Sequence, residues 1–150
     1  MDISILFGQV ESVWVTRHYF ADESPTLIRL HLRMVASGWV GVSCAPGGWG
    51  IAVDSTPPTS ADLDEDGELR GERLAEEDAA GRLQGRSIIQ ISALVRPTLG
   101  PIPTGYLLGD DAGDACAVWN WGDDLYYGED WERELSSRGA EVVLEPWLAT

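Results

Sequence analysis

The stretch IRLHLRM, residues 28–34, decides the fold. Ile28, Leu30, Leu32 and Met34 alternate with Arg29, His31 and Arg33, the period of two that a half-buried antiparallel strand imposes on its side chains. One face belongs to a core, and the other, with His31 between two arginines, is expected to meet solvent. Residues 10–20, before this stretch, are rich in β-branched and aromatic side chains and predict a second strand. Residues 39–44 and 50–53 predict two more, with Pro46-Gly47-Gly48 as the turn between them. The first third therefore reads as a β-meander.

Residues 55–60, carrying Pro57-Pro58, break the meander and lead into an acidic segment. Within that segment Leu74, Ala75, Ala79 and Leu83 are spaced for one face of a short helix over residues 72–83, between Gly71 and Gly81. Strands return at 87–95, 105–108, 115–120 and 125–127. A helix is expected over 129–138: Glu129, Asp130 and Glu132 crowd its first turn, Arg138 stands in its last, and Gly139 sits where a left-handed cap belongs. Trp131 and Leu135, four apart, would dock that helix on the sheet, and 141–145 reads as a final strand.

The two strand blocks resemble each other. FGQVESVWV from Phe7 and QGRSIIQIS from Gln84 both place a glycine before a β-rich run, and each block reaches a Trp-Gly pair, Trp49-Gly50 and Trp121-Gly122, before its last strand. Chance similarity would produce the same short matches. If the repeat holds, the fold is a single α+β domain over 1–150, mainly antiparallel β, with two similar β-units and one or two short helices. The units would be 1–54 and 84–150, joined by an acidic linker, 55–83.

A chain of 150 residues fits one domain and buries about 68–70% of its unfolded surface, enough to fold without a metal or disulfide. No run approaches the roughly 18 apolar residues of a membrane span, and Met1-Asp2-Ile3-Ser4 lacks the basic opening of a secretory leader, so a cytoplasmic location is expected. Cys44 and Cys116 are isolated, without metal-ligand spacing, and read as small buried hydrophobes. All ten basic residues are Arg, a bias of the kind a GC-rich bacterial genome imposes. The net charge of −15 opposes direct binding to nucleic-acid phosphates or an anionic membrane, and favours a basic protein partner or simple solubility.

Eighteen of the 25 carboxylates fall in two patches, Asp62 to Asp78 and Asp110 to Glu134. The first contains DLDEDGEL, residues 62–69, which places Asp62, Asp64 and Asp66 at the first, third and fifth positions of a calcium loop and Gly67 at the sixth. Its twelfth position is Arg73 where a bidentate Glu is required, and the entering segment holds two prolines. An acidic solvated turn explains the same residues. No cofactor and no metal site is expected. A nucleophile elbow sought at Gly41-Val42-Ser43-Cys44-Ala45 fails at its last position, and both histidines precede it.

The second patch interleaves its acids with aromatics. Trp121-Gly122-Asp123-Asp124 lies between two short β-runs, where Gly and Asp are what a tight hairpin turn requires. Exposed turn carboxylates gain no desolvation to raise their pKa, which argues against acid–base catalysis. Trp119 and Trp121 share one face of their strand and Val118 and Asn120 the other. Core packing competes with partner binding for those tryptophans. The residues predicted to meet a partner are Trp119, Trp121, Asp123, Asp124, Tyr126, Tyr127, Glu129 and Asp130, with Asp110 and Asp111 at the patch's other end.

The run Asn120-x-Gly122-Asp123-x-Leu125, following Gly105-Tyr106-Leu107-Leu108, resembles a pattern in small bacterial proteins that accompany toxin genes. The short, acidic, β-rich chain is similar in kind to the immunity proteins of polymorphic toxin systems, a resemblance carried by residues 83–128. It implies a non-enzymatic inhibitor that binds a cognate toxin, in many cases a basic nuclease, in the producing cell. A calcium-binding or regulatory protein using Asp62, Asp64 and Asp66, and an enzyme using carboxylates of the second patch, are the alternatives.

Overall fold

Gly8–Tyr19 (β1), Thr26–Met34 (β2), Gly38–Cys44 (β3) and Ile51–Asp54 (β4) form an antiparallel meander in a computed structural model, which describes residues 2–147. The alternation that opens the argument sets its inner face: Leu30, Leu32 and Met34 are buried beside Val13 and Val15 of β1 and Val40 and Val42 of β3. Residues 55–60 then cross the outer face of the meander as a strap. They lead to a hairpin of Ala61–Asp62 (β5) and Glu68–Arg73 (β6), and β6 pairs with β1 over Trp14–Tyr19, on the edge away from β2.

His31 shows why the strap lies where it does. Its Nδ1 donates to the Thr56 carbonyl at 2.8 Å, since a carbonyl only accepts, which leaves Nε2 to accept from the Thr16 hydroxyl at 2.7 Å. The Thr59 amide donates to Thr16 Oγ1 at 3.3 Å, and the Gly71 amide to Ser60 Oγ at 3.0 Å. The strap can lie this close only over glycines. A Cβ at Gly41 would stand 2.7 Å from Asp54 Oδ1 and 3.2 Å from the Thr56 carbonyl, and one at Gly71 would stand 2.9 Å from Pro58 Cβ. His31 is therefore fully buried, which corrects the expectation that it faces solvent. The alternation identified its face, but the strap that covers that face comes from 25 residues further along the chain.

The second meander is built from Ser87–Val95 (β7), Pro103–Asp110 (β8), Ala115–Trp121 (β9) and Asp124–Gly128 (β10). A helix, Trp131–Ser137 (α1), crosses its outer face through Trp131 and Leu135, and Val143–Trp147 (β11) returns to pair with β7 over Ile91–Val95. Each unit thus consists of a four-stranded meander, a crossover over its outer face, and a further strand beside its first, β6 of the β5–β6 hairpin in one unit and β11 in the other. One unit crosses by a proline strap and the other by a helix. The units join where Gly8 and Gln9 pair with Ile88 and Ser87, and their inner faces share one core containing Val10, Leu32 and Val40 with Ile91, Leu108 and Val118.

Two predicted elements change. No helix forms over 72–83: Glu72 and Arg73 complete β6, and the rest is turns ending in a single 3-10 turn at Gly81–Leu83. The Asp78 carboxylate accepts from the amides of Ala80 and Gly81 at 3.0 and 3.4 Å, the local side-chain bonding that competes with helical hydrogen bonds. The supposed linker also contains β5 and β6, whose acidic composition hides a strand stabilised by pairing to β1. The later helix does form, followed by Gly139 at φ 76°, and the last strand lies two residues beyond its predicted place. No described helix is long and apolar enough to cross a membrane.

Candidate functional site

Strands β9 and β10 pair Trp121 with Asp124, leaving Gly122 and Asp123 as a two-residue turn. Their φ values of 60° and 67° are both left-handed, as a type I′ hairpin turn requires. Asn120 fixes this turn from below: its Oδ1 accepts from the Asp123 amide at 3.0 Å, and its Nδ2 donates to the carbonyls of Gly48 and Gly50 at 3.1 and 2.8 Å. The β9–β10 turn of the second unit is thereby tied to the β3–β4 turn of the first. Asp123 and Asp124 stand exposed on this braced backbone, and neither joins an ion pair among the described residues.

The two tryptophans do share the outer face of β9, but their surroundings differ. Trp119 is 2% exposed and packs beneath α1 with Trp131 and Leu135, its ring stacked on Tyr126 at 6.0 Å. It is a core residue with no surface to offer. Trp121 is half-buried, and its ring is met by the chain's own arginines, Arg96 at 4.3 Å and Arg138 at 5.4 Å from its centroid. Arg138 also lies 5.2 Å from the Tyr126 centroid. Tyr127 points inward, where its hydroxyl donates to Asp78 Oδ2 at 2.9 Å. Burial, reinforced by that bond, pushes its phenol up to about 12.

The remaining predicted acids have structural work. Asp110 is buried, accepting from the Ala112 and Asp114 amides at 2.9 and 3.0 Å and pairing with Arg86 at 2.9 Å. Burial alone would raise its pKa, but the Arg86 guanidinium and the two amides outweigh it and hold the carboxyl below its ordinary value. It serves as the cap of the β8–β9 loop, so the expectation of a surface role does not suit it. Asp111 is exposed and accepts from the Ser87 amide at 3.2 Å. Glu129 pairs with Arg82, and Asp130 with Arg133 at 3.0 Å.

Of the ten residues, Asp123 and Asp124 stand exposed together at the hairpin tip, and the half-buried Tyr126 and Tyr127 follow Asp124 along β10. Beside them runs an open groove of ≈ 450 Å³ between β10 and the start of β2, completed by Arg17, Pro25, Thr26 and Leu27. These last four were not legible as site residues, because they reach the groove only through the packing of one unit on the other. In the first acidic patch, Asp62 Oδ1 accepts from the Asp64 amide at 2.9 Å in a tight turn. Among the described residues no three His, Cys, Asp or Glu side chains gather as metal ligands would. Burial pushes the Cys44 thiol up to about 11, with Asp123 and Asp124 adding to it, and the Cys116 thiol up to about 12. Both are protonated at neutral pH and poor nucleophiles. The chain matches no protein-family model, no curated protein and no solved structure.

Proposed function

We propose that this protein is a non-enzymatic inhibitor, an immunity protein that binds a basic toxin through the β9–β10 hairpin tip and the groove beside it. The observation that carries the reading is the pair Asp123 and Asp124: adjacent, exposed, unpaired with any arginine among the described residues, and held on a turn that Asn120 locks to the other unit. Carboxylates fixed before binding lose little freedom on meeting a cationic partner. The overall charge of −15 steers such a partner inward, and steered association reaches about 10⁸–10⁹ M⁻¹s⁻¹ at low salt. Tyr126 and Leu27 supply the aromatic and apolar surface on which affinity then rests.

The test is co-expression with the product of a neighbouring toxin gene, followed by association kinetics on the purified pair. Rescue of growth, with an on-rate that falls about tenfold and depends less on salt in Asp123→Asn/Asp124→Asn, is the expected result. Absence of any toxic neighbour, or rescue and an on-rate unchanged by the double substitution, would refute the reading or its placement.

A further inference from the structure

The two Trp-Gly pairs of the sequence, Trp49-Gly50 and Trp121-Gly122, stand at turns that Asn120 joins. Trp121 is half-buried, its ring met by Arg96 and Arg138. Trp49 is 38% exposed, takes no part in the core, and among the described residues meets neither a guanidinium nor a second aromatic ring. Its backbone is nevertheless fixed. The carbonyls on either side of it, of Gly48 and Gly50, accept from Asn120 Nδ2 at 3.1 and 2.8 Å, and the Gly50 carbonyl also accepts from the Ala45 amide at 3.0 Å. Ile102 lies over the same turn, its Cγ2 3.5 Å from the place a Cβ on Gly50 would take, and is itself 57% exposed. Apolar side chains exposed singly need no explanation. These two share one braced turn, and the carboxamide that braces it also holds the Asp123 amide at 3.0 Å, so the tip with its exposed Asp123 and Asp124 adjoins that turn.

We propose that Trp49, with Ile102 beside it, is the apolar anchor of a partner interface that spans the β3–β4 turn and the β9–β10 tip, and that the occupant is a basic protein. The surface is continuous with the groove beside β10. A hollow of ≈ 250 Å³ lined by Ser43, Cys44 and Asp123 shares Leu27 and Asp124 with that groove, and Cys44 leads directly into the Trp49 turn. Tryptophan is prominent among the side chains that dominate protein interfaces, since its large ring is rigid and loses little freedom when covered. A partner seated on Trp49 also meets Asp123 and Asp124, which form no ion pair among the described residues, and a basic surface supplies the cations they lack. A second copy of the chain would bring the same two acids and a further charge of −15 against this face. The acids then govern encounter, and Trp49 governs how long the complex lasts. As part of the face that binds the toxin, this surface rests on the inhibitor reading.

The experiment measures association and dissociation of the full chain with the purified product of the neighbouring toxin gene. Trp49→Ala removes the ring and leaves both bracketing carbonyls in place; it should raise the dissociation rate about thirtyfold with an on-rate within about twofold of the parent's. Ile102→Ala should raise dissociation about fivefold, and Ile89→Ala, equally exposed at the other end of β7, should leave both rates unchanged. Failure of the parent to bind sinks the inhibitor reading and this interface with it. Binding whose on-rate depends on Asp123 and Asp124, but whose dissociation is the same in the parent, Trp49→Ala and Ile102→Ala, leaves that reading standing and overturns the anchor alone. Sedimentation of the chain by itself covers the other occupant: a dimer that Trp49→Ala abolishes would give the face to a second copy and overturn the assignment.

Discussion

The carboxamide of Asn120 donates to the Gly50 carbonyl at 2.8 Å, joining the β9–β10 turn of one unit to the β3–β4 turn of the other. The same side chain serves the Gly48 carbonyl and the Asp123 amide, so one buried residue satisfies three backbone groups. Asn120→Ala should therefore cost about 1–3 kcal/mol, chiefly from the Gly48 carbonyl and the Asp123 amide left unpaired, since the Gly50 carbonyl keeps the Ala45 amide. Asn120→Asp should cost more, because a carboxylate presents acceptors to two carbonyls. Urea unfolding checks both: the midpoint should fall with little change in slope, and a midpoint within error of the parent would mean that the two turns are not coupled through this residue.

Neighbouring tryptophans on one strand face should respond very differently. Trp119 fills the core under α1, and Trp119→Ala should lose about 3–5 kcal/mol. Trp121 is half-buried and bounded by two guanidiniums, so Trp121→Ala should lose only about 1–2 kcal/mol, mostly its cation–π contacts. Thermal unfolding of the two variants side by side gives the comparison. Equal losses would contradict the different packing of the two rings.

The period-2 run at 28–34 and the turn at 122–123 were legible because each encodes its structure locally, in alternation and in the residues a left-handed turn accepts. The common face of Trp119 and Trp121 followed from spacing alone. The burial of Trp119 did not, since it depends on where α1 docks. His31 fails for the same reason: its cover is the strap at 55–60, and of the glycines that admit the strap, Gly41 looks from sequence like an ordinary weak point in a strand and Gly71 like the boundary of the expected helix. Asp110 and Asp123 are equally acidic in sequence, yet one is buried as a loop cap and the other projects from a turn. Composition located the charged patch, and long-range packing determined which of its acids face outward.

Cys44 offers a probe of the hairpin tip. Burial and then the charges of Asp123 and Asp124 push its thiol up to about 11, so at pH 8 roughly one molecule in a thousand carries the thiolate that a labelling reagent attacks. Labelling of the folded protein should be slow at both cysteines and fast at both in urea. Asp123→Asn should speed labelling of Cys44 while leaving Cys116 unchanged, because Asp123 raises the first thiol and has no part in raising the second. An unaltered Cys44 rate would place the Asp123 carboxylate elsewhere.

His31 should make stability depend on pH over a defined window. Its pKa is lowered from the ordinary 6.5 mainly by burial; the Thr56 carbonyl and Asp54 pull it upward, and Arg29 pulls it further down. In the unfolded chain the ring takes a proton as pH falls through about 6.5, while in the folded chain it stays neutral to a lower pH. The unfolded state therefore binds more protons within that window. Stability is full above pH 6.5 and declines below it, with a limiting slope of about 1.4 kcal/mol per pH unit, until the folded pKa is reached. Protonation would also replace the acceptor at Nε2 with a donor, forcing Thr16 Oγ1 to receive both the imidazolium and the Thr59 amide. His31→Gln retains an amide group in the strap contact but cannot titrate. Its deficit relative to the parent should be largest at pH 7 and should narrow as pH falls toward 5, with the carboxylates common to both proteins cancelling in the difference. A deficit that stays constant across this range would show that His31 carries no pH-linked stability.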